Sequence, residues 1–132
     1  MSKVCIFYRV KTQFDNLGDA IINRMLIEAL SKHADEIKID ASLAPLDFKE
    51  QLGINKKNGI NPSFFYIKMI FKCLKGENIY YFLNPGGERG GISNSLYLKK
   101  MLNNIVLSML SFIGIKLCVY GVSYESLCKK SV

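Results

Sequence analysis

Residues 78–91, NIYYFLNPGGERGG, join an apolar run to a loop that contains four glycines. The apolar run at residues 78–83 is typical of a strand that is buried on both faces of a parallel sheet. The Asn-Pro and Gly-Gly pairs that follow it favour a loop. A long helical pattern then begins at about residue 93 and ends before Gly114. This succession of strand, loop and helix predicts an α/β fold.

The same alternation extends to both sides of this stretch. Further strands are predicted at residues 3–8, 36–40 and 115–120, and further helices at residues 19–31 and 62–76. Residues 41–61 are polar and are predicted to be irregular. The order predicts a Rossmann-like parallel sheet with helices on both faces, and the 132 residues suffice for a single domain, residues 1–132.

Helical spacing also predicts which side chains face the sheet. In the first helix the recurring apolar residues are Ile22, Met25, Leu26 and Ala29. In the second helix they are Ile67, Ile70, Phe71 and Leu74. Both sets are expected to be buried.

Composition limits the class of protein but not its partner. The formal net charge of +7 favours anionic partners such as phosphorylated substrates, nucleic acid or acidic lipid. The four cysteines form no CxxC pair, so a reducing cytoplasm is the simplest expectation. Residues 96–120 are strongly apolar, but Lys99, Lys100 and Lys116 interrupt them, which favours a buried helix and strand over a membrane span.

Ligands of parallel sheets bind outside the carboxyl ends of the strands, and the loop before the first helix is one such place. Gly18 there would let a ligand approach the backbone, and the helix N-terminus presents free N–H groups to an anion. Alternatively, Asn16 or Asp19 caps the helix by accepting hydrogen bonds from those same groups. The loop has no GxGxxG pattern, so a standard dinucleotide fingerprint is absent.

The loop after the third strand is the second candidate. Backbone N–H groups around Gly86 and Gly87 could bind an anion, with Arg89 adding a bidentate contact. Glu88 could position a sugar hydroxyl or accept its proton. The alternative is a flexible connection with solvated charges. The loop lacks the Gly-Lys-Ser/Thr ending of a P-loop.

The loop after the last strand, YGVSYES at residues 120–126, is the third candidate. Ser123 could bind a ligand from the crevice of the sheet. A nucleophilic serine is not expected, because there is no GxSxG pattern and the chain has a single histidine.

The lysines of the second helix allow two interpretations. Lys68, Lys72 and Lys75 lie on one side of it, beside residues 64–66, FFY. They could dock on an anionic membrane, or they could form a solvated basic face. The remaining lysines form no recognised nucleic-acid motif, so no nucleic-acid partner is expected.

Taken together, the three loops resemble the polysaccharide pyruvyl transferase family. The family opens with Asn-x-Gly-Asp before an aliphatic helix, as at residues 16–19, and has a glycine-rich turn after a central strand, as at residues 84–87. A later Tyr-Gly-Val/Ile-Ser-like turn is matched at residues 120–123.

The resemblance implies a GT-B-like glycosyltransferase fold of two Rossmann-like domains, of which this chain would be the N-terminal one. Members transfer a pyruvyl group from phosphoenolpyruvate, the donor substrate, to a sugar, and they form a ketal on a cell-surface polysaccharide or its precursor. The acceptor would be a sugar or a lipid-linked saccharide in exopolysaccharide biosynthesis, and the place would be the cytoplasm or the inner face of the membrane. No other cofactor and no metal are expected.

The resemblance also assigns candidate roles to residues of the three loops. Asp19 and Glu88 are the acid–base candidates. Substrate-binding roles fall to Asn16, Gly18, Gly86, Gly87, Arg89, Gly121 and Ser123.

The last motif continues with Tyr124-Glu125 where the family usually has Gly-Pro, and the chain ends at Val132. We therefore expect a missing C-terminal half, or a partner chain that supplies it, and a transferase that is inactive on its own. The alternative is a non-enzymatic α/β module that binds a nucleotide, a sugar phosphate or a protein.

Overall fold

The computed structural model describes residues 1–12, 14–83 and 94–119, apart from the side chains of residues 94 and 96. Four strands and four helices follow one another in these ranges. In chain order they are β1 (Val4–Arg9), α1 (Leu17–Ser31), β2 (Glu36–Asp40), α2 (Leu46–Gln51), α3 (Pro62–Leu74), β3 (Asn78–Leu83), α4 (Asn94–Phe112) and β4 (Lys116–Val119). None of the described helices combines the length and the apolar character that a membrane crossing requires.

All four strands are parallel and lie in the order β2-β1-β3-β4. β1 is therefore central and pairs with β2 on one side and with β3 on the other. The pairs Cys5–Glu36 and Cys5–Ile79 set the two registers. This arrangement confirms the predicted Rossmann-like α/β fold, and the predicted bounds of β2 and β3 are those observed.

Alternate residues of β1 pack into two separate cores, because successive side chains of a strand point to opposite faces. Ile6 and Tyr8 lie in the core that α1 and α2 cover. Cys5 and Phe7 lie in the core that α3 and α4 cover, where the Phe7 ring packs edge-on against Phe65 at 5.4 Å between centroids. Helices thus cover both faces of the sheet, and Cys5 is fully buried as a small apolar residue.

The prediction that residues 41–61 are irregular was wrong in one part. The short helix α2 lies within them, and Phe48, with Leu52 just after the helix, is buried against α1 and β2. Six residues are too few to show a helical period in the sequence.

The predicted buried stripes of α1 and α3 were also largely wrong. In α1 only Leu26 of the four is buried, while Ile22 and Met25 are exposed and the buried residues include Ala20, Asn23, Ile27 and Leu30. In α3 the sheet receives Phe65 and Met69 instead. Because α3 carries apolar residues on nearly every side, their period could not select the buried arc.

Candidate functional site

The strand order creates a topological switch point at the carboxyl ends of β1 and β3. From β1 the chain moves outward to β2 and then crosses back to β3 on the other side of β1. Tyr8 and Phe82 are paired at that end of the two strands. The next helix after β1 is α1, which covers one face of the sheet, and the next helix after β3 is α4, which covers the other. The crevice at such a switch point is where open α/β sheets bind ligands.

The N-terminus of α1 lies in the loop after β1 and is capped by Asn16. The Asn16 side-chain oxygen accepts a hydrogen bond from the Gly18 N–H at 3.0 Å, and its carbonyl oxygen accepts one from the Asp19 N–H at 3.1 Å. Of the two residues considered as the cap, Asn16 therefore has this role. A Cβ at Gly18 would lie only 3.2 Å from the Asn16 side-chain oxygen, so glycine makes room for the cap.

Asp19 is held by contacts on both sides of the first turn of α1. Its Oδ2 accepts a hydrogen bond from the Thr12 hydroxyl at 2.6 Å, and its carbonyl oxygen accepts one from Asn23 Nδ2 at 2.7 Å. Asn23 Oδ1 in turn accepts a hydrogen bond from the Tyr8 hydroxyl. A continuous polar chain thus links β1, the following loop and the half-buried Asp19.

Tyr8 and Asn23 are almost completely buried, at 0% and 1% exposure. Burial raises the pKa of Tyr8, so its phenol stays neutral and remains a hydrogen-bond donor. The role of Asn23 was not predicted from the sequence. The available signal was a polar residue four positions after Asp19, in the arc that faces the sheet.

A second polar group lies on the other face of the sheet at the same edge. Arg9, the last residue of β1, donates from Nε to Asp40 Oδ2 at 2.7 Å and from Nη1 to the Tyr66 hydroxyl at 3.2 Å. Its guanidinium lies 4.6 Å from the ring centre of Phe65 and 4.9 Å from that of Tyr66. Asp40, the last residue of β2, is 3% exposed.

The surroundings of Arg9 keep it charged. Burial by itself would lower the pKa of Arg9, but Tyr66, Asp40 and Tyr81 raise it above its ordinary value. Burial raises the pKa of Tyr81 in the same cluster. The result is a fixed cation, 29% exposed, beside the switch point. The Arg9–Asp40 pair was not predicted from the sequence, although both residues directly follow apolar strand positions.

The structure thus brings Asn16, Gly18 and Asp19 together at the switch point. The other predicted site residues lie outside the described residues, namely Gly86, Gly87, Glu88, Arg89, Gly121 and Ser123. Leu83 is the last residue of β3 and comes directly before the loop that contains Gly86 and Gly87. Val119 is the last residue of β4, pairs with Leu83, and comes directly before the loop that contains Gly121. Two of the three predicted loops therefore start at neighbouring strands on the edge that carries Asp19.

Comparison with known proteins identifies a family. A family model described as polysaccharide pyruvyl transferase matches residues 16–132, from the helix cap Asn16 onwards. A search of curated proteins and a search of solved structures returned no match. Arg9 and the whole of β1 precede the matched residues.

Proposed function

The chain belongs to the polysaccharide pyruvyl transferase family, and on that premise we propose that it serves the transfer of a pyruvyl group from phosphoenolpyruvate to a sugar. The acceptor is a sugar of a cell-surface polysaccharide or of its lipid-linked precursor. The observation that carries the proposal is the family match, which begins at the capped N-terminus of α1 beside the switch point.

The transfer of a pyruvyl group to a sugar determines which groups the site needs. Two hydroxyl oxygens of the sugar bond to C2 of phosphoenolpyruvate, and the bond between C2 and the phosphate oxygen breaks. The methylene carbon takes up one proton and becomes a methyl group. Inorganic phosphate leaves with the second proton. The site must therefore bind two anionic groups and move protons at a carbon and at the sugar hydroxyls.

Asp19 is the acid–base candidate among the described residues. It stands at the crevice, and the Thr12 hydroxyl at 2.6 Å fixes one of its oxygens. We assign its carboxylate to a hydroxyl of the acceptor sugar. The buried chain of Asn23 and Tyr8 positions the backbone that carries it. This orientation supports the assignment, because a general base has to be held within hydrogen-bond reach of the proton that it abstracts.

Donor binding is proposed for the loop after β3 and the loop after β4. In this proposal Gly86 and Gly87 present N–H groups to the phosphate, and Arg89 contacts the phosphate or the carboxylate. Glu88 is the second acid–base group, and Gly121 and Ser123 complete the crevice. A GT-B-like arrangement would add a second domain, and we propose the cytoplasm, at the inner face of the membrane, as the place of transfer.

The test separates donor binding from chemistry in the full chain. Calorimetry measures the binding of phosphoenolpyruvate to the wild type, to Arg89→Ala and to Arg24→Ala. We expect Arg89→Ala to weaken binding about tenfold or more, because a bidentate charged contact is lost. Arg24→Ala is the matched control, since Arg24 pairs with Glu28 on the surface of α1.

Because the chain is expected to be inactive on its own, the second arm adds the proposed second domain or partner chain and measures phosphate release from phosphoenolpyruvate in the presence of a lipid-linked sugar acceptor. Asp19→Asn should retain donor binding and abolish release, and Thr12→Val should reduce release because the orientation of Asp19 is lost. If the wild type binds nucleotides but not phosphoenolpyruvate, the chain is a binding module and the proposal is wrong. Unchanged binding of phosphoenolpyruvate in Arg89→Ala would show that Arg89, in the loop after β3, does not contact the donor.

A further inference from the structure

The outer surface of α3 and α4 has features that neither the sheet nor the proposed transfer reaction explains. We propose that this surface docks on an anionic lipid bilayer, with the exposed apolar residues of α3 entering the interface and with Lys68 and Lys75 contacting lipid phosphates. The inference does not depend on the proposed transferase activity, because the crevice lies at the carboxyl edge of the sheet and this surface lies on the outer side of the helix layer.

The two helix layers carry opposite charge. α3 and α4 together contain no acidic residue and four lysines, namely Lys68, Lys72, Lys99 and Lys100, and Lys75 adds a fifth positive charge at the C-cap of α3. α1 and α2, on the other face, contain four acidic and two basic residues, and Lys32 lies at the C-cap of α1. A positive field is thus concentrated on one side of the molecule, which is the arrangement that attracts a negatively charged surface.

An apolar stripe runs along the exposed side of α3. Phe64, Ile67, Phe71 and Leu74 are spaced three, four and three residues apart, which places them on one face of the helix. They are exposed by 52%, 62%, 57% and 76%. The opposite arc, with Phe65 and Met69 at 0% exposure, is anchored in the core, so the stripe cannot turn inward.

α4 extends this apolar surface on the same side of the sheet. Its exposed large apolar residues include Leu98, Met101, Leu102, Ile105, Met109 and Phe112. The C-terminal end of α3 contacts the turn that follows α4, since the Cys73 thiol donates to the Ile113 carbonyl oxygen at 3.4 Å. A helix face that combines large apolar residues with lysines is typical of proteins that lie in the membrane interface.

The lysines of α3 differ in their pairing. Lys72 Nζ lies 2.8 Å from Glu36 and 3.1 Å from Glu77, so its charge is neutralised within the protein. Among the described residues, neither Lys68 nor Lys75 forms an ion pair with a carboxylate. Lys75 Nζ instead lies 4.3 Å from the ring centre of Phe71, a member of the apolar stripe.

Lys68 and Lys75 border an open hollow of about 280 Å³ whose wall also includes Phe71 and Lys38. Four lysines and two glutamates line it, so the lining keeps an excess of positive charge. A lipid phosphate in this hollow would lie beside the exposed Phe71 ring of the stripe, while the acyl chains of the lipid would lie along the stripe. A surface that provides cationic and apolar contacts side by side fits a phospholipid, which has both a phosphate and acyl chains, and not a free anion.

Charge also argues against a second copy of the chain as the occupant. Two such surfaces brought face to face would place lysines against lysines, with no carboxylate on α3 or α4 to pair with them. An anionic bilayer neutralises the same lysines, and each lysine near such a surface contributes about fivefold to binding.

The test is flotation of the full chain with two kinds of vesicle, phosphatidylcholine alone and phosphatidylcholine mixed with phosphatidylglycerol. The wild type should float with the mixed vesicles, and added salt should weaken the association. Lys68→Glu with Lys75→Glu should reduce binding by about 25-fold or more, from about fivefold per lysine. The matched control is Lys56→Glu with Lys57→Glu, which makes the same change of charge at two exposed loop residues and should bind almost as the wild type does.

A second variant tests the apolar part. Phe64→Ser with Phe71→Ser removes two exposed rings without touching the core, and it should lower the affinity while circular dichroism stays unchanged. Equal binding of wild type and the Lys68/Lys75 variant to mixed vesicles would overturn the proposal. The proposal would also fail if the wild type did not bind vesicles and instead formed dimers that are lost in the Phe64/Phe71 variant, since a second copy of the chain would then cover this surface. Release of the protein by millimolar inorganic phosphate at constant ionic strength would assign the hollow to free phosphate instead.

Discussion

Replacing Glu36 by glutamine should destabilise the protein in a way that depends on pH. The Glu36 carboxylate lies at the amino edge of the sheet and contacts three lysines, with Lys72 at 2.8 Å and Lys3 and Lys38 at 3.1 Å. Burial by itself would raise the pKa of Glu36, but these hydrogen bonds outweigh it and lower the pKa from 4.5 to about 2. The neutral amide of a glutamine side chain cannot make these charged contacts.

The magnitude follows from the shift of the pKa of Glu36. A difference between 4.5 and about 2 corresponds to an upper limit of about 3 kcal/mol in the free energy of unfolding. Water reaches part of the network, because the Glu36 side chain is 23% exposed and Lys3 is 49% exposed. Screening therefore reduces the expected loss in Glu36→Gln to roughly 1–2 kcal/mol at pH 7.

The sign of the pH dependence is fixed by the direction of the shift. The pKa of Glu36 is lower in the folded than in the unfolded chain, so its contribution is complete above about pH 4.5 and is lost as the pH falls towards 2. The difference between wild type and Glu36→Gln should therefore fall at about pH 3 to less than half its value at pH 7.

The assay is urea unfolding at both pH values, followed by circular dichroism. Glu28→Gln is the control, because it makes the same substitution in the exposed Arg24–Glu28 pair, whose side chains are 60% and 58% exposed. It should change the free energy of unfolding by no more than about 0.5 kcal/mol. An equal loss in Glu36→Gln at both pH values would show a packing effect and would refute the electrostatic explanation.

Two further predictions concern buried side chains. Phe65→Ala should lower the free energy of unfolding in urea by about 3–5 kcal/mol, because Phe65 is fully buried among Phe7, Tyr66 and Tyr81. The control is Phe71→Ala at an exposed position of the same helix, which should change the free energy of unfolding by less than about 0.5 kcal/mol. Similar losses in the two variants would contradict the observed orientation of α3. Tyr8→Phe removes the hydroxyl that donates to buried Asn23 Oδ1 and should cost about 1–3 kcal/mol. Wild-type stability of Tyr8→Phe would show that this bond does not hold the first turn of α1.

The strands could be predicted from the sequence, but the buried faces of the helices could not. β2 and β3 have the predicted bounds, because short apolar runs between polar loops are read without knowledge of the tertiary structure. In α3 apolar residues surround the helix, and the choice between Phe65 and Phe71 depends on the positions of Phe7 and Tyr81 in the sheet. The positions of those two side chains depend on the tertiary structure, which the sequence pattern of α3 does not contain.

The candidate site shows the same limit. The N-terminus of α1 was predictable to within two residues, because Asn16 and Gly18 form a local motif that acts within a few residues. The Arg9–Asp40 pair joins residues 31 positions apart, and it could be predicted only if β1 and β2 were known to be neighbours. Strand order is the step that sequence patterns leave open in parallel sheets.

The central position of β1 has a consequence for synthesis on the ribosome. β1 and β2 emerge early and can pair, but the other edge of β1 has to wait for β3, whose Asn78 pairs with Val4. Translation at roughly 5–20 residues per second leaves that edge open for several seconds in the nascent chain. Until residue 83 has emerged, Cys5 and Phe7 lack the neighbours that bury them, and this interval is when we expect chaperones to engage the chain.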